Sequence, residues 1–208
     1  MFKYIIFDWS GVIKDALADH LVVVNKIFKK FGAKSITLEE LRKNWCQPYM
    51  LFYNQYLPNL KSVEQAIAYK EAILESPKAS EFPGIVSLIK KFKKAGIRMA
   101  VLSSDLPETF YPEIKNFGLE GIFDDLMINV EDKIIAIKDL IEKNKFVLSN
   151  TCIIGDSQHE IKTGKTADIK TIAVTWGFCP KERLVEESPD FIVNNIQELE
   201  FVIFSKNA

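Results

Sequence analysis

Three apolar runs in this chain end in residues able to bind or move a phosphoryl group. Tyr4-Ile5-Ile6-Phe7 runs into Asp8-Trp9-Ser10-Gly11-Val12, and Arg98-Met99-Ala100-Val101-Leu102 into Ser103-Ser104-Asp105. Thr151-Cys152-Ile153-Ile154 runs into Gly155-Asp156-Ser157, with Glu160 four residues beyond Asp156, and Lys133 stands where a helical pattern begins. Singly, each has an ordinary explanation. An Asp after a strand is often a helix N-cap or turn residue. A strand-end Ser is usually a satisfied hydroxyl, and a Lys at a helix start is usually solvated, although the macrodipole disfavours it there. Together they suit Mg²⁺-assisted phosphoryl transfer. Magnesium binds through one or two carboxylates plus substrate phosphate, and a carboxylate nucleophile can form an aspartyl-phosphate. A lysine and a hydroxyl then neutralise and orient the phosphoryl oxygens.

The elements that must position these groups are legible in outline. The three runs, with Thr171-Ile172-Ala173-Val174 and Phe191-Ile192-Val193, read as short strands buried on both faces. Between them lie amphipathic helical patterns. Ile85, Leu88, Ile89 and Phe92 form one, entered at Pro83 and closed by Gly96, and Ile134, Ile137, Leu140 and Ile141 form another. Alternation at this spacing predicts an α/β fold, with a Rossmann-like parallel sheet flanked by helices. In such sheets ligands bind beyond the carboxyl ends of the strands.

One region breaks the alternation. Residues 15–80 hold no convincing strand but several helical patterns, including Leu21, Val24, Asn25, Phe28 and Phe31 before Gly32. The expected organisation is a catalytic core of 1–14 and 81–208, with a helical cap of 15–80 inserted after the first strand. Trp45, Gln47, Tyr49, Phe52 and Tyr53 are candidates to line a lid over the site, which would close to exclude water. Aromatics with a polar tip suit a small organic phosphate more than a protein phosphosite.

Composition narrows the class. In 208 residues, 27 Lys and Arg against 28 Asp and Glu leave a formal charge of −1. That balance lacks the basic field of a nucleic-acid or anionic-membrane binder. Hydrophobic residues at 48% and charged residues at 26% exclude disorder as a reading of the whole chain. Cys46, Cys152 and Cys179 are widely spaced with no CxxC pair, so neither a disulfide framework nor a zinc site is expected. Reduced thiols, no apolar run of the ~18–20 residues that a membrane helix needs and no signal-peptide pattern make the expectation a cytoplasmic protein.

The set Asp8-Trp9-Ser10-Gly11-Val12, Ser103, Lys133 and Gly155-Asp156-Ser157 with Glu160 resembles the four motifs of the haloacid-dehalogenase-like hydrolases. Closest in look are the phosphoglycolate-phosphatase-like members. Their tail is similar to Val174-Thr175-Trp176-Gly177-Phe178 and Pro189-Asp190-Phe191-Ile192-Val193. The resemblance implies that Asp8 is the nucleophile and a Mg²⁺ ligand, with the Ser10 backbone carbonyl as a second ligand. It implies that Ser103 hydrogen-bonds the phosphoryl group and that Lys133 stabilises Asp8 and the phosphoryl charge. Asp156 would bind Mg²⁺, and Glu160 would support the metal directly or through water. Trp9, Gly11 and Ser104 join Lys133 as expected substrate contacts.

One departure matters. Phosphatases of this family usually carry Asp two residues after the nucleophile, as general acid and then base; this chain has Ser10. A lost general acid costs roughly 10²–10⁴-fold in rate. Three readings follow: a slow or leaving-group-selective phosphatase, a phosphate-binding or regulatory protein without turnover, or a phosphonoacetaldehyde-hydrolase-like enzyme. The last shares an Asp-Trp-x-Gly motif and needs a Schiff-base lysine, for which Lys43 is the nearest candidate. A true haloacid dehalogenase is disfavoured because Asp156 is retained. Gly164-Lys165-Thr166 resembles the end of a P-loop, but His159 stands where its first glycine belongs. His20 and His159 are too few and too far apart for a His-based site, and His159 is expected at the surface.

Overall fold

The computed structural model of the chain describes residues 2–76 and 78–205. The five expected strands form, and a short sixth joins them at one edge. In chain order the elements are β1 (Tyr4–Phe7), α1 (Leu17–Lys30), α2 (Leu38–Asn44), α3 (Met50–Tyr56), α4 (Ser62–Leu74), α5 (Ile85–Lys94), β2 (Arg98–Leu102) and α6 (Pro107–Asn116). There follow β3 (Asp125–Met127), α7 (Lys133–Asn144), β4 (Thr151–Gly155), α8 (Gln158–Thr166), β5 (Lys170–Val174), α9 (Lys181–Glu186), β6 (Phe191–Val193) and α10 (Ile196–Phe204). All six strands are parallel, in the order β3-β2-β1-β4-β5-β6.

Alternation along β1 explains the layers. Ile5 and Phe7 face one apolar cluster with Ile85, Leu88, Ile89 and Phe92 of α5. Ile6 faces the other way, with Ile137, Leu140 and Ile141 of α7. Successive strand residues point to opposite faces, so a run with no polar member must be covered twice. The register brings three strand ends level: Phe7 pairs with Val101 on one side and with Ile154 on the other. Asp8, Ser103 and Asp156 therefore emerge along one edge of the sheet.

Residues 15–80 supply α1–α4 and no strand among the described residues. Val23, Val24, Ile27 and Phe28 of α1 pack with Leu41, Phe52 and Tyr53, and this cluster continues into Phe178, Leu184 and Ala173. The helical layer thus shares apolar surface with the strand-end loops. The chain leaves and re-enters side by side. Lys14 bridges Glu81, the Asp15 N–H donates to the Ser80 carbonyl at 2.8 Å, and the Phe82 N–H donates to the Ile13 carbonyl at 2.9 Å.

Gly164-Lys165-Thr166 closes α8 and so lies at a helix end, away from the strand-to-helix loop where a P-loop sits. A Cβ on Gly164 would lie 2.5 Å from Thr171 and 2.6 Å from Ile153, so this glycine lets the helix approach the sheet. No described helix is long and apolar enough to cross a membrane.

Candidate active site

Lys133 joins two of the strand-end acids. It is the first residue of α7, whose N-cap Asp132 accepts from the Ile134 N–H at 2.9 Å. Its Nζ donates to Asp8 Oδ1 at 2.7 Å and to Glu160 Oε1 at 2.7 Å, with only 1% of the residue exposed. The Trp9 N–H adds a second donor to Asp8 Oδ1 at 2.7 Å. No hydrogen bond to Asp8 Oδ2 forms among the described residues.

Glu160 is held from both ends. The Ser157 hydroxyl donates to its Oε2 at 2.6 Å and the Ser157 N–H at 3.1 Å, closing the capping box that starts α8. Asp156 Oδ2 accepts from the Phe178 N–H at 2.6 Å. Its carboxylate lies close against two glycines. A Cβ at Gly11 would stand 2.0 Å from Asp156 Oδ2, and one at Gly177 2.2 Å away. Gly11 also has φ +87°, a backbone geometry that disfavours any side chain.

The electrostatics of this cluster are unbalanced. Burial pushes Asp8 up to about 7, with Lys133 pulling it down and Glu160 pushing it further up. Burial, with Asp8 and Glu160 nearby, raises Asp156 well above the usual carboxylate range. Burial works against the Lys133 ammonium, but Asp8 and Glu160 outweigh it and hold that pKa above its ordinary value. Glu160, pushed up by burial, is brought below its ordinary value chiefly by Lys133. Three buried carboxylates face one ammonium. Asp8, Asp156 and Glu160 each offer an oxygen, all within 4.8 Å of one another. An all-oxygen, net negative, buried donor set fits a hard divalent cation such as Mg²⁺.

Above the cluster lies a cavity of about 320 Å³. Asp8, Ser103, Ser104, Asp105, Lys133 and Asp156 line its floor, and Trp45, Gln47, Tyr49 and Tyr53 from the helical layer line its roof. Phe52 is buried against Phe28 and Trp45 and does not reach the cavity.

Residues 5–174 match the haloacid dehalogenase-like hydrolase family. The chain belongs to the haloacid dehalogenase-like hydrolases. It is 22% identical to phosphoglycolate phosphatase 1 of Pseudomonas aeruginosa, over 95% of this chain and 78% of that protein. It is likewise 22% identical to pyrophosphatase PpaX of Listeria innocua, over 95% of this chain and 87% of that protein. Its fold matches a haloacid dehalogenase-like family hydrolase from Streptococcus pneumoniae with a TM-score of 0.83 at 20% identity, covering 98% and 99% of the two chains.

Within this haloacid dehalogenase-like site, the environment of Ser10 is the main feature that the sequence did not disclose. The Ser10 hydroxyl lies 2.9 Å from both oxygens of Asp105, and the Ser103 hydroxyl donates to Asp105 Oδ2 at 2.7 Å. Lys14 Nζ lies 3.5 Å from Asp105 and 2.7 Å from Glu113, which in turn accepts from Trp9 Nε1 at 2.9 Å. Burial raises the Asp105 pKa, but Lys14, Ser103 and Ser10 outweigh it and hold the carboxyl below its ordinary range. A carboxylate is therefore present beside position 10, supplied from the end of β2. Lys14 and Glu113 look like solvated charges in the sequence. The available signal was Asp105 itself, two residues after the strand-end Ser103.

Four residues sit elsewhere than expected. The Trp9 ring does not line the cavity. It is fully buried between Phe110 and Phe117, because its N–H finds Glu113 beneath the loop. Gly11 also lies outside the cavity lining, and its place is the close approach to Asp156. His159 is buried, not superficial, with Nε2 3.4 Å from Asp132 Oδ1. Lys43 is exposed and lies outside the cavity lining.

Proposed function

We propose that this haloacid dehalogenase-like hydrolase is a Mg²⁺-dependent phosphatase of small organic phosphates, working through an aspartyl-phosphate on Asp8. The observation that carries this reading is the Lys133 ammonium bridging Asp8 and Glu160, with Asp156 alongside, under a roofed cavity. The phosphatase names of its relatives support the reaction class.

The chemistry follows from the hydrogen bonds. With Oδ1 fixed by Lys133 and the Trp9 N–H, Asp8 Oδ2 is the oxygen aimed at phosphorus. It attacks, the bond to the leaving oxygen breaks, and that oxygen keeps the electron pair. Lys133 meets charge on the phosphoryl oxygens. Ser104, half-buried on the cavity floor, supplies a further hydroxyl, whereas the Ser103 proton is directed to Asp105. A divalent cation held by Asp8, Asp156 and the Ser10 carbonyl, with Glu160 supporting them, would supply electrostatic neutralisation of the phosphoryl group. Water then attacks phosphorus, releasing phosphate and restoring the Asp8 carboxylate. We read residues 15–80 as the cap that excludes bulk water during these steps.

Ser10 and an ionised Asp105 give the leaving oxygen no efficient acid, so good leaving groups are favoured over alkoxides. A phosphonoacetaldehyde-type mechanism finds, among the described residues lining the cavity, no lysine except Lys133, which is already bound to two carboxylates. The test is p-nitrophenyl phosphate turnover with Mg²⁺, with EDTA, and in Asp8→Asn. Turnover should fall at least about 10³-fold in the variant and with chelator. Equal rates in wild type and Asp8→Asn would leave a phosphate-binding protein as the better reading.

A further inference from the structure

Among the described residues the cavity roof carries no Lys or Arg. Of the described residues lining the cavity, Lys133 is the only Lys or Arg, and its ammonium already bridges Asp8 and Glu160. The neighbouring guanidinium groups are engaged elsewhere. Arg183 donates to the carbonyls of Lys43 and Trp45 and to Gln158, and Arg42 donates to the Phe178 carbonyl. What faces the ligand beyond the phosphoryl end is acidic or neutral. Asp105 and the exposed Glu131 contribute carboxylates, and Tyr49 of the roof lies in the field of Glu131.

The uncharged part of the wall is rich in acceptors. Gln65 and Tyr53, each 1% exposed, line the cavity with the Gln65 side chain against the Tyr53 hydroxyl, and Gln65 Oε1 has no hydrogen-bond partner among the described residues. A buried acceptor without a donor is costly unless a ligand supplies one. Trp45 and Phe178 add aromatic faces. These attract hydroxyl-bearing rings or ammonium groups and gain nothing from a carboxylate.

Resting on the phosphatase reading above, we propose that the substrate's leaving group bears no negative charge and brings hydrogen-bond donors, as hydroxyl or amine groups, to a wall formed by Glu131, Gln65 and Tyr53. A second anion in the substrate would meet the Glu131 carboxylate and an Asp105 whose paired ammonium, Lys14, is already shared with Glu113. The site therefore selects against 2-phosphoglycolate, whose leaving group carries a carboxylate, although a relative carries that name.

The test is kcat/KM with Mg²⁺ for glycerol 1-phosphate, glucose 6-phosphate, phosphoethanolamine and 2-phosphoglycolate, all with alkoxide leaving oxygens, with p-nitrophenyl phosphate as reference. The best of the first three should exceed 2-phosphoglycolate by tenfold or more. In Glu131→Lys, an exposed position, that ratio should shrink about tenfold. A wild-type ratio below tenfold overturns the proposal, and a ratio unchanged in Glu131→Lys overturns the assignment of the wall. Asp8-dependent turnover of p-nitrophenyl phosphate with such a low ratio would sink this proposal alone. Absence of any Asp8-dependent turnover would remove the phosphatase reading and this proposal with it.

Discussion

Restoring an aspartate at position 10 is not a simple repair, because Asp105 already occupies the neighbourhood. The Ser10 hydroxyl sits 2.9 Å from both Asp105 oxygens, and Asp105 is held ionised by Lys14, Ser103 and Ser10 against the effect of burial. A second carboxylate there would face a like charge in a poorly solvated place. Ser10→Asp alone should lower Tm by several degrees, since about 1 kcal/mol corresponds to roughly 2–4 °C in a chain of this size. The pair Ser10→Asp with Asp105→Asn should recover Tm and raise kcat on alkyl phosphates by about 10²-fold. Thermal melts and steady-state rates decide it; a single variant that gains full rate at unchanged Tm would show that the two positions are uncoupled. At this scale Asp8, Lys133, Asp156 and Glu160 were legible because strand ends and a helix start mark them. Asp105 stood at a strand end too, but its pairing with Ser10, Lys14 and Glu113 was not legible, because local sequence carries no record of which charges a fold turns inward.

The strands and the helical insertion were legible for a different reason. A doubly buried strand must be apolar throughout, and β1, β2, β4 and β5 each show such a run. The exception is β3, three residues at the sheet edge, half-buried and opening with Asp125, too short and too polar to stand out. Another is α6, which carries Pro112 inside it. The seam between insertion and core has its own signature in His20 of α1, whose ring meets Trp45, Tyr69 and Phe178. Burial pushes His20 down to about 4, with Asp105 opposing and Lys14 adding to the shift. Its folded pKa lies below the unfolded value near 6.5, so the unfolded chain takes up the proton first. Stability is therefore retained above pH ~6.5 and lost as pH falls towards the folded pKa. Between pH 7 and 4.5 the wild type should lose roughly 2–3 kcal/mol more than His20→Phe. Denaturant melts at the two pH values measure this, and equal losses would mean that His20 is not held neutral.

Over the whole molecule, charges nearly cancel, with 27 basic against 28 acidic residues. No long-range field gathers phosphate, and attraction must come from the site itself. There the near-cancellation gives way to a local excess of acid: three carboxylates and one ammonium lie beneath an acidic and aromatic cavity. In the phosphatase reading proposed above, a cation offsets these carboxylates when a phosphoryl group binds, and Asp8 Oδ2 is the attacking oxygen. The central claim is that Asp8 becomes covalently phosphorylated. The most direct measurement is acid quenching of wild-type protein during turnover of p-nitrophenyl phosphate with Mg²⁺, followed by peptide mass analysis. The expected result is one phosphoryl group on the peptide containing Asp8, removed by hydroxylamine and absent from Asp8→Asn. Turnover that proceeds with phosphate trapped on another residue, or undiminished in Asp8→Asn, would contradict it.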